Sequence, residues 1–256
     1  MWLVAVSHNS ARRLFDMDFF DSNKSTCGAY EHYSFEEYYL TFKPICEIVK
    51  KHFHPARVLD VGCAKGPLVY AFRTIGIEAF GVDVSGYAIS CAPKTLRLFL
   101  STVDLDKEYL PFSDNFFDFI TFFGSIEYLH NHKHAIAELE RVLVDGGSLL
   151  LTTLYRRSKD EKDRINIHNK AFWIKQFSPR WIVPKSYYSF MASYFSSYKG
   201  KSSSSLNKLK QTFFGKSKLT DFALVSLWSF LVNLHLLNYG VLLFTLHKKQ
   251  TNQERI

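Results

Sequence analysis

Between Arg57 and Leu154, short β-branched and aromatic runs alternate with stretches of helical spacing. That alternation restricts the chain to an α/β architecture, because each crossover between parallel strands needs a helix to cover a face of the sheet. The runs predict strands at Arg57–Val61, Glu78–Asp83, Phe99–Val103, Phe117–Phe123 and Ser148–Leu154. Helices are expected at Pro67–Ile75, where Gly76 stops the pattern, at Tyr87–Leu98 in broken form, and at His134–Leu143. Upstream, Tyr38, Tyr39, Phe42, Ile45, Ile48 and Val49 recur at steps of three and four. They predict a helix over 35–53 with an apolar stripe, capped by Ser34 and completed as a capping box by Glu37. A last strand is expected over Gly240–His247.

The turn Asp60-Val61-Gly62-Cys63-Ala64-Lys65-Gly66 sits where the first strand meets a helix. Glycines there let a ligand approach the backbone N–H groups at the helix start. Asp83 ends the second strand 23 residues after Asp60, a spacing at which a carboxylate can take both hydroxyls of a ribose, and Asp104 ends the third. All these groups fall at the carboxyl ends of parallel strands, where open α/β sheets bind ligands. A dinucleotide fingerprint is excluded: Ala64 and Pro67 stand where its second and third glycines belong.

Four ordered motifs carry a family resemblance. Val58 to Gly66 resembles motif I of the class I S-adenosylmethionine (SAM)-dependent methyltransferases, of the small-molecule kind typified by the methyltransferase type 11 family. Asp104 to Asp118 resembles the stretch leading into that family's fourth strand. Glu127-Tyr128-Leu129-His130 is similar to its "E-H-L" signature, and Glu138 to Gly147 to its "E-x-x-R-V-L-x-P-G-G" signature. The match covers about residues 55–155.

The resemblance implies a Rossmann-like, seven-stranded, mostly parallel sheet with helices on both faces, followed by an aromatic-rich C-terminal extension. It also implies S-adenosyl-L-methionine as the cofactor. Gly62 and Gly66 would pass close to its methionine part, and Asp60 would hold its ammonium. Asp83 would take the ribose hydroxyls, and Asp104 with the Leu105 backbone would meet the adenine, a role for which Asp106 competes. Ser125 or Ile126 would line the methionine side, and Cys63 and Val84 complete the expected cofactor set. The sequence departs from the family in three places: Ala64 for the middle glycine, Asp145 for a proline, and Tyr128 where His is frequent.

For acid–base chemistry the candidates are His130 and His168, since an imidazole titrates near neutrality. His168 follows the fifth strand, where loops of this family reach the acceptor. Three stretches are expected: an N-terminal helical cap at 1–54, the cofactor-binding core at 55–155, and an acceptor-side region at 156–256 with a flexible loop at 199–218. No metal is expected, because Cys27, Cys46, Cys63 and Cys91 show neither CxxC pairs nor ligand spacing.

The expected function is methyl transfer to a small-molecule or lipid-like acceptor. Its alternatives are a non-catalytic SAM-binding regulatory or scaffold protein and an RNA-directed methyltransferase. Aromatic residues, with 24 Phe and 14 Tyr, extend well beyond the core and lean the acceptor towards apolar molecules. Net charge is +8, and six lysines without an acid lie between Lys199 and Lys218. Anionic headgroups could meet that stretch while Phe222, Leu227 and Trp228 insert beside it, so the expected location is cytoplasmic with an option of peripheral membrane contact. Nucleic acid is disfavoured, because no binding-module signature accompanies the charge. The group from Arg156 to Arg164 reads as solvated surface, and Phe172, Trp173, Phe177 and Trp181 read as core.

Overall fold

The computed structural model describes residues 15–21, 33–154, 164–177, 180–182 and 241–249. Its first half runs α1 (Met17–Asp21), α2 (Phe35–Phe53), β1 (Arg57–Val61), α3 (Pro67–Thr74), β2 (Glu78–Asp83), α4 (Gly86–Cys91) and β3 (Leu100–Thr102). Then follow β4 (Phe117–Phe123), α5 (His132–Val142), β5 (Leu143–Leu154), α6 (Lys170–Phe177), β6 (Trp181–Ile182) and β7 (Val241–Lys248).

The strands form a single sheet in the order β3-β2-β1-β4-β5-β7-β6. The pairs from β3 through β5 are parallel, whereas β7 is antiparallel to both β5 and β6. Strand order reverses between β1 and β4, which opens a crevice at their carboxyl ends.

Side chains alternate across the sheet with period two, so neighbours on one strand enter opposite cores. Val58, Phe119 and Leu150 face the layer of α2 and α3, packing with Ile45, Val49, Leu68 and Phe72. Leu59, Ile120 and Leu149 face the other layer, with Leu139 of α5 and Trp173 and Phe177 of α6. Phe72, Phe119, Leu139 and Trp173 are fully buried, each contributing about 1.5–3 kcal/mol by removal from water. Helices on both faces and a core role for Trp173, Phe177 and Trp181 match the sequence expectation.

Several boundaries move for identifiable reasons. The expected broken helix at 87–98 is α4 alone, beginning at Gly86 because Ser85 caps it through the Ala88 N–H (3.0 Å). It ends at Cys91, ahead of Pro93, and a 3-10 turn at Arg97–Phe99 leads into a shorter β3. Helix α5 starts at His132 rather than His134, since Asn131 Oδ1 accepts the His134 N–H at 3.3 Å. Strand β5 starts at Leu143 rather than Ser148: Leu143 pairs with Phe117 before a register shift. The Ser34 hydroxyl accepts the Glu37 N–H (3.3 Å), the cap half of the expected box, and donates its own proton to Glu36 (3.4 Å).

The signature pair Glu138 and Arg141 is a bracket. Arg141 grips both oxygens of Glu138 (2.9 and 2.7 Å) and donates to the carbonyls of Leu110 and Phe112 (2.9 and 2.8 Å). It thereby fixes the loop that leads from the cleft into β4. Asp145, in the proline position, pairs with Lys248 of β7 (3.1 Å).

Outside the described residues lie Cys27, Arg156, the aromatic region 187–198, the loop 199–218 and the apolar residues 219–240. Among the described residues, no helix is long and apolar enough to cross a membrane.

Candidate active site

A cleft of about 170 Å³ opens at the carboxyl ends of β1, β2 and β4. Eight residues of the expected cofactor set line it: Asp60, Gly62, Cys63, Asp83, Val84, Asp104, Leu105 and Ser125. Gly66 does not. It caps α3 at φ +80°, and a Cβ there would sit 2.9 Å from both Leu96 and Leu100, so its glycine serves helix–strand packing.

The turn after β1 is held from the neighbouring strand. Gly62 and Cys63 donate their N–H groups to the Val82 carbonyl (2.8 and 3.1 Å). Asp83 then secures the next residue: its carboxylate accepts the Ala64 N–H on one oxygen and the Ser85 N–H on the other, both at 2.8 Å. Ala64 adopts φ +50°, a left-handed conformation usually left to glycine. The hydrogen bond to Asp83 offsets part of that strain.

Asp60 lies at the cleft floor, 4% exposed, and accepts the Thr121 hydroxyl at 2.7 Å. Burial pushes its carboxyl up to about 7; the charge of Asp83 adds to this, and the Thr121 hydrogen bond opposes it. Burial also raises the Asp83 carboxyl, against its backbone hydrogen bonds. Among the described residues, neither carboxylate has a cationic partner. Two buried carboxylates sharing one cleft therefore make a site that favours a cation.

A pH dependence follows. Between about pH 4 and about pH 7 the folded ligand-free protein holds a proton on Asp60 that the unfolded chain releases. Stability should therefore fall as pH rises through that window, by an amount on the order of 4 kcal/mol for this group. Denaturant unfolding of wild type and Asp60→Asn checks it: the variant should show a much flatter profile, and equal slopes would contradict the assignment.

At the third strand, Asp104 and Asp106 both line the cleft. Asp104 is the more buried, and its carboxylate receives Lys107 Nζ (2.6 Å) and the Asp106 N–H (3.3 Å). Asp106 accepts the Asn131 N–H (2.8 Å). The other wall is aromatic: Phe15, Phe19, Tyr38, Phe42, Phe123 and Tyr128. Arg164 closes this side, donating to the Tyr128 hydroxyl at 2.9 Å. That corrects the sequence reading of Arg164 as solvated surface, where a charge run masked one inward-turned member.

The two histidine candidates lie elsewhere. His130 is exposed and outside the cleft lining. His168 stacks on Phe172 (3.7 Å between ring centres) and meets Trp173 edge-on, also outside the lining. Burial, with the nearby His132, lowers its pKa. Missed by sequence reasoning were α1, too short for any periodicity, and the aromatic residues it brings; the Phe15/Phe19 spacing was the only available signal.

With this geometry established, the comparisons are specific. A family profile described as a methyltransferase domain matches residues 30–193. An uncharacterized protein of Methanocaldococcus jannaschii is 30% identical over 124 residues, 48% of this chain and 57% of that protein. The ubiquinone biosynthesis O-methyltransferase of Thiobacillus denitrificans is 30% identical over 109 residues, 40% of this chain and 46% of that one. The chain thus spans about half the length of the curated relatives it matches. Among solved structures, phosphoethanolamine N-methyltransferase 2 of Haemonchus contortus, in complex with S-adenosyl-L-methionine, superposes with a TM-score of 0.53 at 18% identity. It covers 85% of this chain and 58% of that one, a likeness of fold.

Proposed function

The chain belongs to the SAM-dependent methyltransferase family, and from that membership we propose that it transfers the methyl group of SAM to a small, largely apolar acceptor. The observation that carries the reading is the pair of buried carboxylates, Asp60 and Asp83, without a cationic partner among the described residues, in a cleft whose opposite wall is aromatic. SAM supplies an ammonium, a sulfonium and a ribose diol, which are the groups such a pair would attract. Asp60 keeps one oxygen free of Thr121 for the ammonium. Asp83, whose two oxygens hold the backbone N–H groups of Ala64 and Ser85, would offer its remaining acceptor capacity to the ribose hydroxyls. Gly62 keeps the turn open beside Ser125, and either Asp104 or Asp106, with Leu105, would meet the adenine.

When bound, SAM supplies an electrophilic methyl carbon whose C–S bond breaks as the acceptor's lone pair forms its new bond, the electron pair leaving on a neutral sulfur. The protein's part is to align the acceptor with that carbon and to exclude water. Phe15, Phe19 and Tyr128 offer apolar surface for this. A carboxylate or neutral amine acceptor needs no protein base. A hydroxyl acceptor would need a base, and both sequence candidates, His130 and His168, lie outside the cleft lining.

Isothermal titration should show saturable uptake of one SAM per chain, tightening as pH rises through about 7, where Asp60 must lose its proton to pair with the ammonium. S-adenosylhomocysteine release should then appear with some member of a panel of phenols, amines, carboxylates and a lipid headgroup acceptor presented in anionic vesicles. No uptake at millimolar SAM sinks the proposal. Uptake without release on any acceptor favours the scaffold alternative.

A further inference from the structure

Lys65 stands in the middle of the cofactor turn, yet it points away from any cofactor role. It is 7% exposed, and its ammonium lies 2.6 and 2.9 Å from the two oxygens of Asp21 and 3.1 Å from the Tyr33 carbonyl. Those contacts occupy its donors, leaving none for a ligand. Asp21 is the last residue of α1, and its Oδ2 also accepts the Tyr87 hydroxyl at 2.8 Å. One carboxylate therefore ties α1 both to the turn after β1 and to the helix after β2.

The apolar contacts repeat this arrangement. Phe19, Phe20 and Tyr33 are buried in one cluster with Ala64 and Ala88. Ala64 is the position where the family pattern has glycine; here its methyl fills space beneath the α1 aromatics and accepts a left-handed φ to do so. Just ahead of α1, Phe15 meets Tyr128 edge-on at 5.1 Å, and Phe19 within the helix does so at 6.4 Å. Helix α1 thus spans the cleft from the cofactor turn to the wall after β4, with Phe15, Phe19 and Phe20 in the lining.

We propose that Lys65 is a positioning residue for the reaction: through Asp21 it clamps α1 over the cleft, so that Phe15 and Phe19 roof the cofactor and shut water out. The inference rests on the reading of the cleft as the SAM site. A sulfonium must be kept from water while it waits for an acceptor, and a buried ion pair holds a roof in a defined place better than aromatic contacts alone. Removing the Asp21 carboxylate leaves the Lys65 ammonium buried without its counter-charge, so the clamp should release rather than loosen by degrees.

The test measures two rates on the full chain. Stopped-flow release of S-adenosylhomocysteine should quicken by at least about tenfold in Asp21→Asn and in Lys65→Met, with the double variant no faster than either single, because binding changes of this kind appear in the dissociation rate. Asp21→Glu, which keeps the charge, should stay near wild type. Trypsin cleavage at Arg13 or Lys24, which flank α1 in the sequence, should quicken in the same two variants without any cofactor. If Lys65→Met does not fold, Tyr87→Phe removes one hydrogen bond to Asp21 and should quicken release about threefold. Release at the wild-type rate in Asp21→Asn overturns the proposal, whatever trypsin shows. Were wild type to hold no S-adenosylhomocysteine at all, the cofactor reading would fall, while unchanged cleavage in the variants would separately overturn the clamp.

Discussion

Gly62→Ala is expected to cut SAM affinity by more than about 100-fold, a change of roughly 3 kcal/mol. Two costs act together at this position. Gly62 sits at φ +74°, where an L-residue loses roughly 1–2 kcal/mol. A Cβ built there would run into Ser125 Oγ and lie 2.8 Å from Ser125 Cβ, closer than real Cβ atoms come to anything. Ser125 cannot simply turn aside, since its hydroxyl is bonded to the Phe123 carbonyl (3.0 Å) and its backbone starts the 3-10 turn at Ile126–Tyr128. Either the turn after β1 or the one after β4 has to move. Both line the cleft, so the displacement reaches ligand binding as well as stability.

The double variant Gly62→Ala/Ser125→Gly separates the two costs. It removes the clash and leaves the backbone strain, so affinity should return to within about 5- to 30-fold of wild type, the residue of an unrelieved strain of about 1–2 kcal/mol. Titration with SAM and thermal unfolding on the three proteins read the result. A single variant that binds like wild type would show that the turn is not the part of the cleft the cofactor approaches.

Where sequence reasoning succeeded, local chemistry and the long-range sheet agreed. The run Arg57–Val61 is strand because its apolar residues feed both cores alternately, and that alternation is written in the chain. Asp60, Asp83 and Asp104 meet because parallel strands end on one side of a sheet, so strand ends in sequence become a cleft in space. The reading failed where a residue's role depends on a partner far along the chain. Lys65 and Asp21 are 44 residues apart, and nothing in either neighbourhood announces the ion pair. Gly66 looked like a ligand-facing glycine, but the need for it comes from Leu96 and Leu100, on segments whose approach no local pattern encodes. His168 followed the right strand, yet its ring found Phe172 one helical turn later and stayed out of the cleft. Strand β6, two residues long, is defined wholly by its pairing with β7.

Asp83→Ala should cost both binding and fold, and the proportion between the two is informative. Its carboxylate holds the Ala64 and Ser85 N–H groups at 2.8 Å. Truncation orphans both, at roughly 1–3 kcal/mol each if water cannot reach them. The cleft admits water, which recovers part of that loss. Removing a buried charge beside Asp60 is also favourable in the ligand-free state, because burial already holds the Asp83 carboxyl above its usual range. Net destabilisation of the ligand-free protein should therefore be modest, about 1–3 kcal/mol. Binding has no such compensation: ribose hydroxyls would lose their acceptors and the cation its second carboxylate, so affinity should fall by at least about 100-fold. Asp83→Asn, which keeps one acceptor oxygen, should fall between the two. A second consequence reads the same electrostatics without ligand. The charge of Asp83 is among the causes that lift Asp60 to about 7. In Asp83→Ala the Asp60 carboxyl should then titrate lower, and the stability lost between about pH 4 and about pH 7 should shrink. Unfolding at a series of pH values measures that directly. An unchanged profile, together with SAM affinity within about threefold of wild type, would mean that the two carboxylates neither sense each other nor share a ligand.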